Sequence, residues 1–222
     1  MRVLIDWRAM ITRSKKTAFH TYHRRYEDWF RRHPAAYHSE LLAVRALLPW
    51  EGLGLEIGVG TGRFAAPLGI SFGLDPSRAM LAYGVARGVS CIQGVAEALP
   101  FKDAVFDFGL VVTTICFVED PKTMLHEAHR VLKSEAPLII GFVDRTSALG
   151  KQYLAYQDQS VFYREARFYS ASEVERLLGD TGFIDLAWGQ TLAKPLNEIQ
   201  EIEPLADGHG IGGFVVVRAV RS

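Results

Sequence analysis

Glu56, Gly58, Gly60 and Gly62 alternate with other residues where the short apolar run Leu53-Gly-Leu-Glu-Ile57 ends. Glycine takes left-handed conformations cheaply and carries no Cβ, so a backbone with this spacing can bend closely around a ligand. A helix expected from about residue 62 to 68 would aim its free N–H groups at the same place, which is the construction of a nucleotide pocket. Asp75, at the end of a second apolar run, is placed to accept from both hydroxyls of a ribose, and it also reads as an N-cap for the helix after Pro76. Glu56 lies inside a strand end, where an unpaired carboxylate is costly, so it calls for a ligand or a donor.

Glycine spacing alone leaves the nucleotide open, because Gly60-x-Gly62-x-x-Ala65 also fits the loose fingerprint of NAD proteins and with it a dehydrogenase. Three further motifs follow in order: Gly73-Leu-Asp75-Pro76-Ser77, Gly94-x-Ala96-Glu97-x-Leu-Pro-Phe101 and Phe106-Asp107-Phe108. With the glycine motif, they make the chain resemble the class I S-adenosylmethionine-dependent methyltransferases. The likeness is nearest to the small-molecule branch that includes the ubiquinone and menaquinone biosynthesis enzymes (methyltransferase type 11). It covers about residues 38–143 strongly and the flanks more loosely.

The resemblance implies an α/β, Rossmann-like, seven-stranded and mostly parallel sheet flanked by helices, with strand order 3-2-1-4-5-7-6 and the last strand antiparallel. It implies a single domain over residues 1–222: an N-terminal helical lid at 1–50, a cofactor-binding core at 51–143 and a substrate-side half at 144–222. The implied cofactor is S-adenosyl-L-methionine, with S-adenosyl-L-homocysteine as product. By position its contacts would be Glu56, Gly58, Val59, Gly60, Gly62, Asp75, Pro76, Ala96, Glu97 and Thr113. Glu56 would face the amino group, Asp75 the ribose, and the Ala96 N–H the adenine. Val95 departs from the pattern, since the family often has Asp there to accept from the adenine amino group. Glu97 either takes over that contact or caps the turn.

A sulfonium methyl group is electrophilic enough for direct in-line displacement, so a protein of this kind mainly aligns an acceptor atom and excludes water. A base is needed only where the acceptor must lose a proton. Its candidates are Tyr26, Tyr37 and His38, with His20, His23 and Glu119 behind them. Above the fourth strand, Val111 to Phe117 should meet the acceptor, which places Cys116 and Phe117 beside it. Tyr26, Trp29, Phe30 and Tyr37 are the lid candidates, although Trp29 and Phe30 also fit ordinary packing of an amphipathic helix. Cys116 reads as a small core residue rather than a nucleophile. Arg164 and Arg167, set among aromatics in Phe162 to Tyr169, could grip an acidic group or lie on a surface strand. Thr113-Thr-Ile-Cys-Phe117 stands where enzymes that methylate exocyclic amines of nucleobases or glutamine carry Asn/Asp-Pro-Pro-aromatic, which disfavours that chemistry.

The elements that must position these groups alternate regularly. Helix is expected over 20–48 with a break at His33-Pro34, then strands at 53–57, 70–74, 89–92 and 105–112. Helices are expected at 77–87 and from Asp120-Pro121 to Lys133, and an apolar strand at 137–143. A connecting region at 146–169 precedes a helix opened by the capping box Ser170-x-x-Glu173, and strands at 183–190 and 213–219 close the chain as an antiparallel pair.

Hydrophobic residues make up 49% and charged ones 23% of the 222 residues, which fits a globular chain. Formal charge is zero, yet residues 1–38 hold nine Lys/Arg against three acids. Such an arm suits either a solvated face or RNA, so an RNA-modifying enzyme is the alternative function, and a non-catalytic cofactor-binding module a third. A small-molecule acceptor leads, with nucleic acid the lesser expectation. Cys91 and Cys116 have neither metal-ligand nor redox-motif spacing, no apolar run reaches a membrane span, and the first residues make a poor secretory signal. A cytoplasmic protein without a bound metal is the expectation, and its oligomeric state is not legible.

Overall fold

The computed structural model describes residues 18–222. Arg2, Arg8, Arg13, Lys15 and Lys16 of the basic arm therefore lie outside the described residues. The helical region divides into α1 (Ala18–Thr21), α2 (His23–Arg32) and α3 (Pro34–Leu47), and the break falls at His33 because Pro34 opens α3 as its first residue. The core strands are β1 (Gly54–Ile57), β2 (Phe72–Asp75), β3 (Ser90–Gln93), β4 (Phe108–Val112) and β5 (Pro137–Val143). Between them run α4 (Arg78–Ala86), with Ser77 as N-cap, and α5 (Pro121–Val131), with Asp120 as N-cap. After β5 come α6 (Ala148–Ala155), α7 (Ala171–Asp180), β6 (Phe183–Thr191), β7 (Ala206–Asp207) and β8 (Phe214–Arg221).

The sheet order is β3-β2-β1-β4-β5-β8-β6-β7. β1 to β5 pair in parallel, whereas β8 runs antiparallel to both β5 and β6. The seven longer strands thus follow the expected order, and the eighth is the two-residue β7 added to the β6 edge through Gly189–Asp207. Two residues carry no alternation, so nothing in the pattern announces that strand. Side chains of β5 alternate between two apolar layers, with Leu138, Ile140 and Phe142 packed in one and Ile139 in the other. α5 and α7 cover the first layer through Met124, Leu125, Val174 and Leu178. α3, α4 and α6 cover the second through Ala43, Val44, Leu81 and Leu149.

Two expectations about elements are corrected. The segment after the glycine turn is a series of turns over 61–69 and not a regular helix. Ala66 N–H donates to Gly62 O and Leu68 N–H to Phe64 O, but Pro67 between them has no N–H for Arg63 O, and the ladder breaks there. The region 146–169 contains the helix α6, which has no sequence signature because Leu149 and Gly150 are its only buried residues and make no helical stripe.

Candidate active site

β1, β2 and β4 end side by side, and their carboxyl ends open into a cavity of about 770 Å³, the size of a small-molecule site. Gly58, Gly60 and Gly62 all take positive φ in the turn after β1. A Cβ on Gly58 would lie 2.2 Å from Thr114 Oγ1, whereas at Gly60 its nearest neighbours would be Met80 Cε at 3.5 Å and the Tyr26 hydroxyl at 3.8 Å. Gly60 therefore leaves open space on the cavity side, and Gly58 lets the turn lie against the β4 loop. Thr113, a cavity residue, is held at φ 48 after β4, a conformation that residues with a branched Cβ rarely adopt.

Asp75 ends β2 with Oδ2 accepting from Gly60 N–H (3.1 Å) and Oδ1 from Ser77 N–H (2.7 Å). It thereby fixes the turn to the start of α4 while still lining the cavity. Burial pushes its carboxyl up to about 6, although both N–H groups oppose the shift. Ser77, not Asp75, caps α4, accepting from Met80 N–H. Glu56 is buried beneath the turn and does not line the cavity. It accepts from Ala65 N–H, so the turns over 61–69 direct at least this donor at an acid and not at a ligand. Its Oε2 is buried without a partner, and burial raises the carboxyl well above the ordinary range.

Of the residues expected at a cofactor, Gly58, Gly60, Asp75, Pro76, Ala96, Glu97 and Thr113 line the cavity. Val59 and Gly62 do not. Val59 is buried against Gly73, and a Cβ on Gly62 would press within 3.1 Å of Gly84 Cα, so both serve the packing of the turn on β2 and α4. Val95 lines the cavity as well, and Glu97 Oε1 accepts from Glu119 N–H at 2.9 Å, the turn-capping arrangement.

Of the residues expected at the acceptor, Tyr26 and Phe117 line the cavity, and Trp29, Tyr37, Cys116, Arg164 and Arg167 do not. The Tyr37 hydroxyl donates to Arg63 O at 2.5 Å, Trp29 packs edge-on against Phe30, and His38 is exposed on α3. Cys116 is buried at a separate small void, where burial pushes its thiol up to about 12. Arg164 and Arg167 are exposed; Arg164 reaches Asp158 O and Arg167 lies over the Tyr169 ring. His20 approaches Ser77 Oγ at 3.4 Å and His23 approaches the Tyr83 hydroxyl at 3.1 Å, so of the base candidates only Tyr26 and Glu119 line the cavity.

Phe19 and Tyr163 line it too, and sequence reasoning missed both. Phe19 meets Phe117 (4.8 Å between centroids), Phe162 (5.0 Å) and Tyr26 (5.7 Å), and Phe117 stacks on Tyr163 (5.9 Å). The available signal for Tyr163 is the aromatic run from Phe162, in which the arginines compete with the rings for a functional reading. Tyr26 stands in the field of several acids. Burial raises its hydroxyl far above 10, and Glu56, Asp75, Glu27 and Glu40 raise it further.

A parallel α/β sheet with a glycine cradle, an acid at the second strand end and a cavity across both defines a nucleotide-using Rossmann-like protein. A methyltransferase-domain family profile matches residues 55–140. An uncharacterised protein of Methanocaldococcus jannaschii is 43% identical over 201 residues, 90% of this chain and 97% of that protein. A demethylmenaquinone methyltransferase of Geobacillus is 29% identical over 146 residues, 54% of this chain and 62% of that protein. A crystal structure from Thermotoga maritima, described as an S-adenosylmethionine-dependent methyltransferase and possible histamine N-methyltransferase, is 50% identical with a TM-score of 0.90. That likeness covers 92% of this chain and 98% of the Thermotoga chain. The chain belongs to the S-adenosylmethionine-dependent methyltransferases. Its cofactor is S-adenosylmethionine, and the open cradle over Gly60 beside Asp75 fits that group. Among the described residues, no helix is long and apolar enough to cross a membrane.

Proposed function

We propose that the enzyme methylates a small molecule, at an amine nitrogen, seated between Phe19, Tyr26, Phe117 and Tyr163. The observation that carries this reading is the continuity of the cavity from the glycine turn to those rings, an enclosure of about 770 Å³ suited to a metabolite. The faces of Phe19, Tyr26, Phe117 and Tyr163 favour a basic acceptor, because aromatic rings attract cations. The description of the Thermotoga relative as a possible histamine N-methyltransferase points the same way. When bound, the cofactor supplies an electrophilic methyl group. In this reading Asp75 accepts from the ribose hydroxyls, the Ala96 backbone takes the adenine and Gly60 admits the close approach, while Phe19, Tyr26 and Phe117 exclude water and hold the acceptor in line. Attack needs the neutral amine, so turnover should rise with pH until the acceptor is unprotonated.

The experiment is mass spectrometry of the full chain with S-adenosylmethionine and a panel of primary amines, phenols, quinols and an RNA oligomer. Methylated amines support the reading; turnover confined to phenols or quinols overturns its nitrogen acceptor. Methylated RNA, together with RNA binding that falls steeply with salt, would instead establish the nucleic-acid alternative.

A further inference from the structure

The glycine turn has little of its own to hold it. Three glycines at positive φ are followed by turns whose ladder breaks at Pro67, so rigidity must be supplied from outside. Part of it comes from β2, through Leu74 O and Asp75, and part from α2. Glu27, whose side chain is 12% exposed, receives Arg63 Nη2 at 2.6 Å and Arg87 Nη2 at 2.6 Å. Arg63 Nε reaches the second carboxylate oxygen at 3.3 Å, and Arg87 Nη1 donates to Thr61 O at 2.6 Å, inside the turn. Arg63 also lies over the Phe30 ring of α2 at 5.1 Å. Burial pushes the Glu27 carboxyl up, but Arg63, the Thr61 side chain and Arg87 together outweigh burial and hold it below the ordinary glutamate value. Two guanidinium groups meet on one carboxylate, and without that charge they would repel each other. The same helix carries Tyr26, which roofs the cavity above Gly60.

We infer that Glu27 is a positioning residue for methyl transfer: it clasps the roof helix to Arg63 in the turns after Gly62 and to Arg87 at the end of α4, so that cofactor binding and roof closure are one event. Glu27 does not line the cavity and acts through the two arginines and the Thr61 carbonyl. Firm seating of the acceptor then follows cofactor loading, because an empty, loosened turn holds α2 and its Tyr26 less firmly. The inference rests on the cofactor lying at the glycine turn.

The test is calorimetry of the full chain with S-adenosylhomocysteine, paired with hydrogen exchange of residues 18–33 with and without that ligand. Glu27→Gln should weaken binding roughly tenfold, between the small effect of an exposed ion pair and the large effect of a buried one. Bound ligand should slow exchange of α2 in the wild type and leave it unchanged in Glu27→Gln, with Glu27→Asp recovering part of both effects. Should Glu27→Gln fail to fold, Arg87→Lys gives the same readout, since an ammonium cannot span Glu27 and Thr61 O as the guanidinium does. Wild-type affinity and wild-type ligand protection of α2 in the variant overturn the clasp. Absence of ligand binding in the wild type would instead remove the cofactor placement.

Discussion

Asp75 shows how one side chain serves the turn and the ligand at once. Its two oxygens already hold Gly60 and Ser77, and the lone pairs left over face the cavity. On the proposed reading those lone pairs take the ribose hydroxyls, which donate to an ionised carboxylate better than to a neutral acid. Because burial raises this carboxyl to about 6, acid below that pH protonates it and weakens binding. Wild-type affinity for S-adenosylhomocysteine should therefore fall as pH drops through about 6. Asp75→Asn should bind roughly ten- to a hundredfold more weakly at pH 8 and lose the slope. Calorimetry across that range decides it, and parallel pH curves for the two proteins would take Asp75 away from the ribose. Glu56, by contrast, has the sequence position of a ligand contact and is buried beneath the turn with Oε2 unpartnered, a placement that depends on how Ala65 folds back toward it.

The turns over 61–69 have the sequence of a helix start, and the reason they do not form one lies in a single residue. Pro67 leaves Arg63 O without its helical donor, and the Tyr37 hydroxyl of α3 fills the place. Tyr37→Phe should then cost about 1 kcal/mol, the net worth of an ordinary hydrogen bond, read as a lower urea midpoint. Exposed Pro67 gives a second arm. In Pro67→Ala the new N–H can bond Arg63 O, so the added cost of Tyr37→Phe should shrink in a double-mutant cycle. Strictly additive costs would show that the hydroxyl does not stand in for the missing donor. α1, α2 and α3 are legible as helices from their aromatic stripe and Pro34, yet which aromatic reaches the cavity is not. Tyr26 and Tyr37 sit on neighbouring helices and both pack edge-on against Phe30, yet Tyr26 lines the cavity while the Tyr37 hydroxyl goes to Arg63 O.

Burying an acid in the molecule has a price that pH exposes. Glu40 of α3 is buried near the hydroxyls of Tyr26, Tyr153 and Tyr163, and burial raises its carboxyl to about 8. Between the unfolded value of 4.5 and about 8 the folded chain keeps a proton that the unfolded chain has released. Stability should consequently fall as pH rises through that window, the loss being complete above about 8. Asp75 contributes the same sign at lower pH, from 3.8 to about 6. Glu40→Gln should leave urea midpoints flatter between pH 6 and 9, gaining on the wild type at the alkaline end. If the two proteins lose stability in step across that range, Glu40 is ionised in the fold after all.

The antiparallel closing pair and the capped helices are legible in the amino-acid sequence by itself, and strand order and cofactor class through the family resemblance that four motifs in order carry. The elements and their caps depend on local alternation and cap residues, which act within a few residues along the chain. The short edge strand, the helix α6 and the cavity membership of Phe19 and Tyr163 are not legible there. A ring's direction is settled by what packs behind it, and for Phe19 those partners are Tyr26, Phe117 and Phe162, far apart in sequence. The same holds for Glu27, whose meaning emerges only when Arg63 and Arg87 arrive beside it. Each motif of the cofactor class is a local run that residue types and spacing reveal, whereas the aromatic end of the cavity is assembled from separate segments and exists only once the chain has folded.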